Sequence, residues 1–244
     1  MTSDYSAAEA ALLTELRSRG HWEVVIRPQP FMQRVADSKE LVQIIEKSAI
    51  DLGGWRFPFI PDRPGELTNG QRLRDEDSVR QIHRWEHHLE VWRFFRTGQF
   101  ALATSVGWDW RDQSGWWPVR DGEKWAANSA IGIGHIVQML LQMFLLAGRM
   151  AESAAGDEKL DIEISLAPTL GRELVSDFPR RMLLPGYKAD IDRIRLPIEV
   201  TRTELLASVD DLTAATANRV FGEFGFKPMA DILSELVAEV RRGS

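Results

Sequence analysis

Cysteine is absent from the 244 residues. That excludes disulfides, thiol catalysis and zinc sites with thiolate ligands, and it fits a reducing compartment. Long apolar runs are scarce as well. The longest, Met139 to Ala147, is interrupted by Gln142 and is too short to span a bilayer. The first thirty residues show no basic stretch followed by an apolar one, so no secretory leader is expected. Basic charge is outnumbered, giving a net charge of −6. Broad binding to a polyanion needs a positive footprint, so the balance argues against nucleic acid as the partner. No Gly-rich phosphate loop, G-x-S-x-G elbow or evident triad occurs. The "IGIGHIV" string at 131–137 follows no strand, so its glycines suit close helix packing. Tyrosine is rare: there are two, against nine Trp, and the Trp cluster.

What is present reads as an ordinary globular chain, 44% hydrophobic and 27% charged. No repeat, low-complexity tract or linker divides it, so 1–244 is expected as a single domain. Residues 6–19 read as a helix, peripheral to the rest, with Ser6 and Glu9 as a capping box and Gly20 as the stop. Residues 21–28 read as a strand. Residues 37–50 read as an amphipathic helix with apolar positions 41, 44, 45 and 49, capped by Asp37 or Ser38. Four Gly and three Pro make 51–70 irregular, yet Trp55, Phe57, Phe59 and Ile60 should pack it back onto the core.

Ile82, Trp85, Leu89, Trp92 and Phe95 or Arg96 recur three and four apart, which predicts a long helix over about 75–97 that ends at Gly98. A strand over 99–106 follows, then a Trp-rich loop or short hairpin over 108–125. A second long helix is expected over 128–153, capped by Asn128 or Ser129. The strict alternation of 160–168 marks a strand with one wet face. Residues 193–201 form another strand, confined to an edge by Pro197. Helices over 203–222 and 228–241 close the chain. The expected class is α+β, a small mixed or antiparallel sheet packed against several helices.

The strings "WEVVIRP", "GGWRFPFI", "HLEVWRFFRTGQFAL", "LDIEISLAPTLGREL" and "FGEFGF" occur in that order. Together they resemble an uncharacterised bacterial family, the segment found downstream of Schlafen-like AlbA-type domains of nucleic-acid or ATP binding. There the strings look like W-x-V-x-I-x-P, R-G-W-x-x-P, E-Y-W-R-F-Y-x-S-G-Q-F and F-G-W. The resemblance covers about residues 20–240. Gly53 stands where the family has Arg, Val91 and Phe95 where it favours Tyr, and Phe226 where it has Trp. The AlbA-type domain itself is not within these residues, so its activity does not transfer. The resemblance implies a bacterial, cytoplasmic sensor or adaptor in regulation or phage defence, and it supplies no catalytic residue.

Several side chains carry candidate chemistry. Arg27, Trp55, Arg56, Glu90, Trp92, Arg93 and Gln99 lie inside the resembling strings. They form either a ligand pocket, with Arg for an anion and Trp for stacking, or a buried ion network in which Glu90 pairs with Arg93. Trp108, Trp110, Trp116 and Trp117 suit an interface with a protein partner or a second copy. No metal or cofactor is expected. The alternative metal set is His83 and His87, one helical turn apart, with Glu90, which would make a metal-dependent hydrolase or nuclease. Another alternative is a nucleic-acid-binding accessory protein. The leading expectation is a non-enzymatic sensor, adaptor or interaction module.

Overall fold

The computed structural model describes residues 2–61, 70–110, 125–178 and 181–243. Trp116 and Trp117 therefore lie outside the described residues. In chain order the elements are α1 (Thr2–Arg17), β1 (His21–Gln29), α2 (Ser38–Ser48), β2 (Ile50–Leu52), β3 (Trp55–Phe57), β4 (Gly70–Arg74), β5 (Ser78–Trp85), β6 (His88–Phe95) and β7 (Phe100–Ser105). A 3-10 turn at Gly107–Trp110 leads to β8 (Ala130–Gly132) and α3 (Ile133–Ala151). Then come β9 (Lys159–Ala167), β10 (Glu173–Val175), β11 (Ile194–Thr201), α4 (Arg202–Ala207), α5 (Val209–Glu223) and α6 (Ala230–Arg242).

The protein is α+β. A seven-stranded sheet, ordered β11-β9-β1-β7-β6-β5-β4, is antiparallel throughout. Pro197 sits in β11 at one edge, where the donor it lacks is not needed. On one face lie Trp22, Val24 and Ile26 of β1, Trp92 and Phe94 of β6, Phe100 and Leu102 of β7, and the alternate residues of β9. They pack with α2 and α3 into one large core. The opposite face is covered over β5–β7 by α1, where Leu12 and Leu16 meet Ile82, Leu89, Val91 and Ala103. Over β9 it carries Asp161 and Glu163, the wet face that alternation predicts.

The expected helix over 75–97 is not there. Those residues form β5 and β6, an antiparallel hairpin that turns at Glu86 and His87, with Glu86 at φ 46. The three-and-four spacing arises because both faces of this hairpin are covered. Apolar residues then fall on both sides and erase the period of two. Gly98 has the expected positive φ, 82, but it closes the β6–β7 turn, donating to Phe95 O at 2.9 Å.

Helix boundaries shift too. The first helix begins at Thr2, so Ser6 lies within it rather than capping it. Gly20 serves close approach: a Cβ there would run into the Asp109 carboxylate and the Arg172 guanidinium. The second long helix starts at Ile133, because 130–132 form β8, paired in parallel with β10. Neither Asn128 nor Ser129 caps it. Asp177 does, accepting from Gly134 N–H at 2.7 Å and His135 N–H at 2.8 Å. This helix, Ile133–Ala151, is long and apolar enough to cross a membrane, but 78% of its apolar window is buried inside the molecule.

Candidate functional site

The inner face of the sheet is apolar over β1, β9 and β11 and becomes polar toward β5. Strand register explains this. His83 of β5 lies opposite Glu90 of β6, and Trp85 lies opposite His88. Alternation therefore puts His83, Trp85, His88 and Glu90 on one face of the hairpin, beside Gln81 and Trp92.

A segment following β3 lies over them. Glu90 Oε1 accepts from Phe59 N–H at 2.7 Å. Phe59 O accepts from Gln81 Nε2 at 2.7 Å and from Trp92 Nε1 at 3.2 Å. Phe57 and Ile60 on either side are buried. The irregular stretch thus packs back onto the core as its aromatic content implies, pinned by three side chains of the hairpin.

The aromatic rings then close around the polar ones. Phe59 stacks on His83, with centroids 3.9 Å apart. Trp55 meets His88 edge-on at 5.5 Å and Trp85 at 5.2 Å. The His83 and His88 rings are 5.4 Å apart. His83 is 3% exposed and Glu90 1%, whereas Trp85 is 48% exposed and forms an outer rim with half-buried Trp55.

Among the described residues, four buried atoms in this cluster have no hydrogen-bond partner: His83 Nδ1, His83 Nε2, His88 Nε2 and Glu90 Oε2. His88 Nε2 and Glu90 Oε2 lie 3.3 Å apart, within ion-pair distance, although neither takes part in a hydrogen bond. Buried polar groups are nearly always paired, so several unpaired atoms gathered in one place mark this cluster as a candidate site. Burial, with a smaller contribution from the nearby His88, pushes His83 down to about 4. Its imidazole is therefore neutral at physiological pH and carries one donor and one lone pair.

The candidate residues from the sequence divide between two faces. Trp55, Glu90 and Trp92 belong to this cluster. Arg27, Arg93 and Gln99 lie on the opposite face. There Arg27 Nε donates to Gln99 Oε1 at 3.1 Å and approaches Glu163 at 3.9 Å. Arg93 donates to Ser78 Oγ at 3.0 Å, approaches Asp75 at 3.8 Å and covers the Phe95 ring at 4.7 Å. Glu90 and Arg93 do not pair. Three residues apart on a helix they would share a face, but on a strand they point to opposite sides. Arg56 sits on β3, 3.7 Å from Asp51.

The metal set dissolves for the same reason. His87 occupies the hairpin turn, 3.8 Å from Glu86, while His83 points inward and His88 takes the place beside Glu90. Among the described residues, no three His, Asp or Glu side chains converge at metal-ligand distance.

Of the interface candidates, Trp110 lies under Arg19, whose guanidinium is 4.6 Å from its centroid. Trp108 faces His135 at 6.2 Å. His135 Nε2 also accepts from Trp22 Nε1 at 3.2 Å. Burial and the positive charge of Arg172 push His135 down to about 4. Both Trp108 and Trp110 are half-buried and pack against the core clusters.

Phe59, Gln81, Trp85 and His88 are site residues that the sequence reading missed. A period-two reading of 78–95 would have placed Gln81, His83 and Trp85 on one face and His88, Glu90 and Trp92 on the facing strand.

Comparison of the chain with protein-family models, with characterised proteins and with solved structures finds no match.

Proposed function

We propose that the protein is a non-enzymatic recognition module, a sensor or adaptor that holds a small ligand between His83, His88 and Glu90. The bound state is read at the Trp55–Trp85 rim by a protein partner or a second copy. The observation that carries this reading is the set of orphaned polar atoms under a half-exposed aromatic rim. A purely structural cluster more often satisfies its buried atoms internally. The groups present accept and donate hydrogen bonds, and no hydroxyl or thiol nucleophile is hydrogen-bonded to either imidazole among the described residues. That suits binding better than acyl or phosphoryl transfer. The family resemblance supports a bacterial, cytoplasmic setting in regulation or phage defence.

The test is ligand-observed NMR with a mixture of bacterial metabolites, comparing the parent with Glu90→Gln. A compound whose signal broadens with the parent and not with the variant is the expected result. Hydrolysis of an ester or phosphodiester panel that disappears in His83→Phe would replace the reading with a hydrolase. Retention on single-stranded nucleic acid at physiological salt would replace it with an accessory nucleic-acid binder.

A further inference from the structure

We infer that the cleft between the ends of α2 and α3 is a separate binding site, and that it takes the zwitterionic head group of a free α-amino acid with an apolar side chain. It shares no residue with the His83–His88–Glu90 cluster, so it stands or falls apart from that reading.

The cleft has a volume of about 480 Å³, within the roughly 300–1,000 Å³ of small-molecule sites. On one side Ile44, Lys47 and Ser48 project from the end of α2, spaced three and four apart on one helical face. On the other, Arg149, Glu152 and Ala154 come from the end of α3 and the residues after it. Lys47, Arg149 and Glu152 are ionic and exposed, yet among the described residues none of them enters an ion pair. Arg149 and Glu152 are one helical turn apart, where an intrahelical pair is ordinary, and still they do not pair. The Arg149 guanidinium is held instead by the α2 C-cap, with Nη1 donating to Ala49 O at 2.5 Å. That contact uses one donor and fixes the rest of the planar fork beside the cleft.

Two helix C-termini meet here, and their negative ends would by themselves favour a cation. Their last carbonyls are largely taken. Ile45 O accepts from Ala49 N–H at 3.0 Å, Gly148 O from Glu152 N–H at 3.3 Å, and Met150 O from Ser153 N–H at 3.0 Å and Ser153 Oγ at 2.7 Å. What stays unmatched is side-chain charge: the cations Lys47 and Arg149, and the carboxylate of Glu152. A ligand that answers all three carries a carboxylate for Arg149 and Lys47 and an ammonium for Glu152. Its two charges must lie close together, because residues one helical turn apart are about 5–6 Å apart at Cβ. An α-amino acid holds both on one carbon. A plain carboxylate or phosphate would bring a second negative charge beside Glu152 with nothing to offset it, and a plain amine would do the same beside Arg149. Buried Ile44 and Ala154 give the ligand's side chain an apolar wall.

The experiment is an amide chemical-shift titration of the isotope-labelled full chain with L-leucine. Isocaproate (no ammonium), isoamylamine (no carboxylate) and inorganic phosphate serve as comparators. Leucine should give saturable shifts centred on residues 44–49 and 149–154. Isocaproate should bind more weakly by roughly fivefold, the upper value of one exposed ion pair, and isoamylamine, which gives up both cations, more weakly still. Glu152→Gln and Arg149→Gln should each weaken leucine by roughly the same fivefold. Lys47→Gln, on the opposite wall, is the further variant if Arg149→Gln, which loses the bond to Ala49 O, does not fold.

Absence of saturable shifts with leucine overturns the inference, as do shifts centred elsewhere or equal binding by the parent and the folded variants. Phosphate or isocaproate binding more tightly than leucine also overturns it and assigns the cleft to a plain anion. None of these results bears on the His83–His88–Glu90 reading, whose own test is read at Glu90.

Discussion

Arg172 and Asp109 meet in the interior as a saturated pair, with Arg172 Nη2 donating to Asp109 Oδ2 at 2.7 Å and the side chains 0% and 3% exposed. Every guanidinium donor is used. Nε goes to Pro168 O, Nη1 to Asp109 Oδ1 and Ala130 O, and Nη2 to Asp109 Oδ2 and Asn128 Oδ1. Gly20 N–H and Asn128 N–H complete the carboxylate, at 2.9 Å each. One pair thus ties together the start of β1, the turn after β7, the approach to β8 and the turn after β9.

Removing either partner should therefore be severe. Asp109→Ala or Arg172→Met alone leaves a buried charge uncompensated, at a cost of about 3–5 kcal/mol. The double variant should lose clearly less than the sum of the singles, because neither charge remains. Urea denaturation of the four proteins as a double-mutant cycle measures this. Additive losses would show that the two side chains act independently.

Gly98 has φ 82, and a Cβ there would collide with the Ala155 carbonyl and the Pro28 ring. Gly98→Val should lose roughly 1–3 kcal/mol to backbone strain alone, with the steric clash in addition. The melting temperature is the readout. A variant that melts with the parent would place this turn elsewhere.

Trp92 is 1% exposed, contacts Phe100 at a centroid distance of 6.1 Å, and donates to Phe59 O. Trp92→Ala should cost about 3–5 kcal/mol, as large-to-small core changes do. Trp92→Phe should cost about 1 kcal/mol, since the lost hydrogen bond leaves Phe59 O still paired with Gln81 Nε2. Equilibrium unfolding monitored by far-ultraviolet circular dichroism distinguishes the two.

Stability should fall on the acid side of neutrality. Burial pushes His83 and His135 from the ordinary 6.5 to about 4, with help from His88 and Arg172 respectively. Between these values the unfolded chain binds more protons than the folded one, so stability rises with pH across this window and is lost as pH drops through it. His83→Phe keeps the stacking on Phe59 and removes one titrating group. It should flatten the limb between pH 6.5 and 4 by up to roughly 3 kcal/mol. An unchanged slope would show that His83 is not protonated on unfolding.

Elements with a wet side were legible in the sequence. Residues 160–168 alternate because β9 has one covered and one open face. Asp37 caps α2 through Lys39 N–H at 2.8 Å, a contact two residues away in the chain. Pro197 assigns β11 to an edge by chemistry alone. The hairpin at 78–95 was not legible, because α1 covers one of its faces and the main core the other. Two covered faces leave no polar side to set a period.

By itself the sequence determined the α+β class, the ends of several elements, the positive φ at Gly98 and the inward folding of the stretch after β3. Each of these follows from side-chain pattern or backbone permission over a few residues. The tertiary structure decided which charges meet. Asp109 finds Arg172 across 63 positions, Asp177 caps a helix 43 residues earlier, and Glu90 turns away from Arg93 toward His83 and His88. Such pairings depend on strand register and on long loops closing, and a side chain three positions away changes face when a helix becomes a strand.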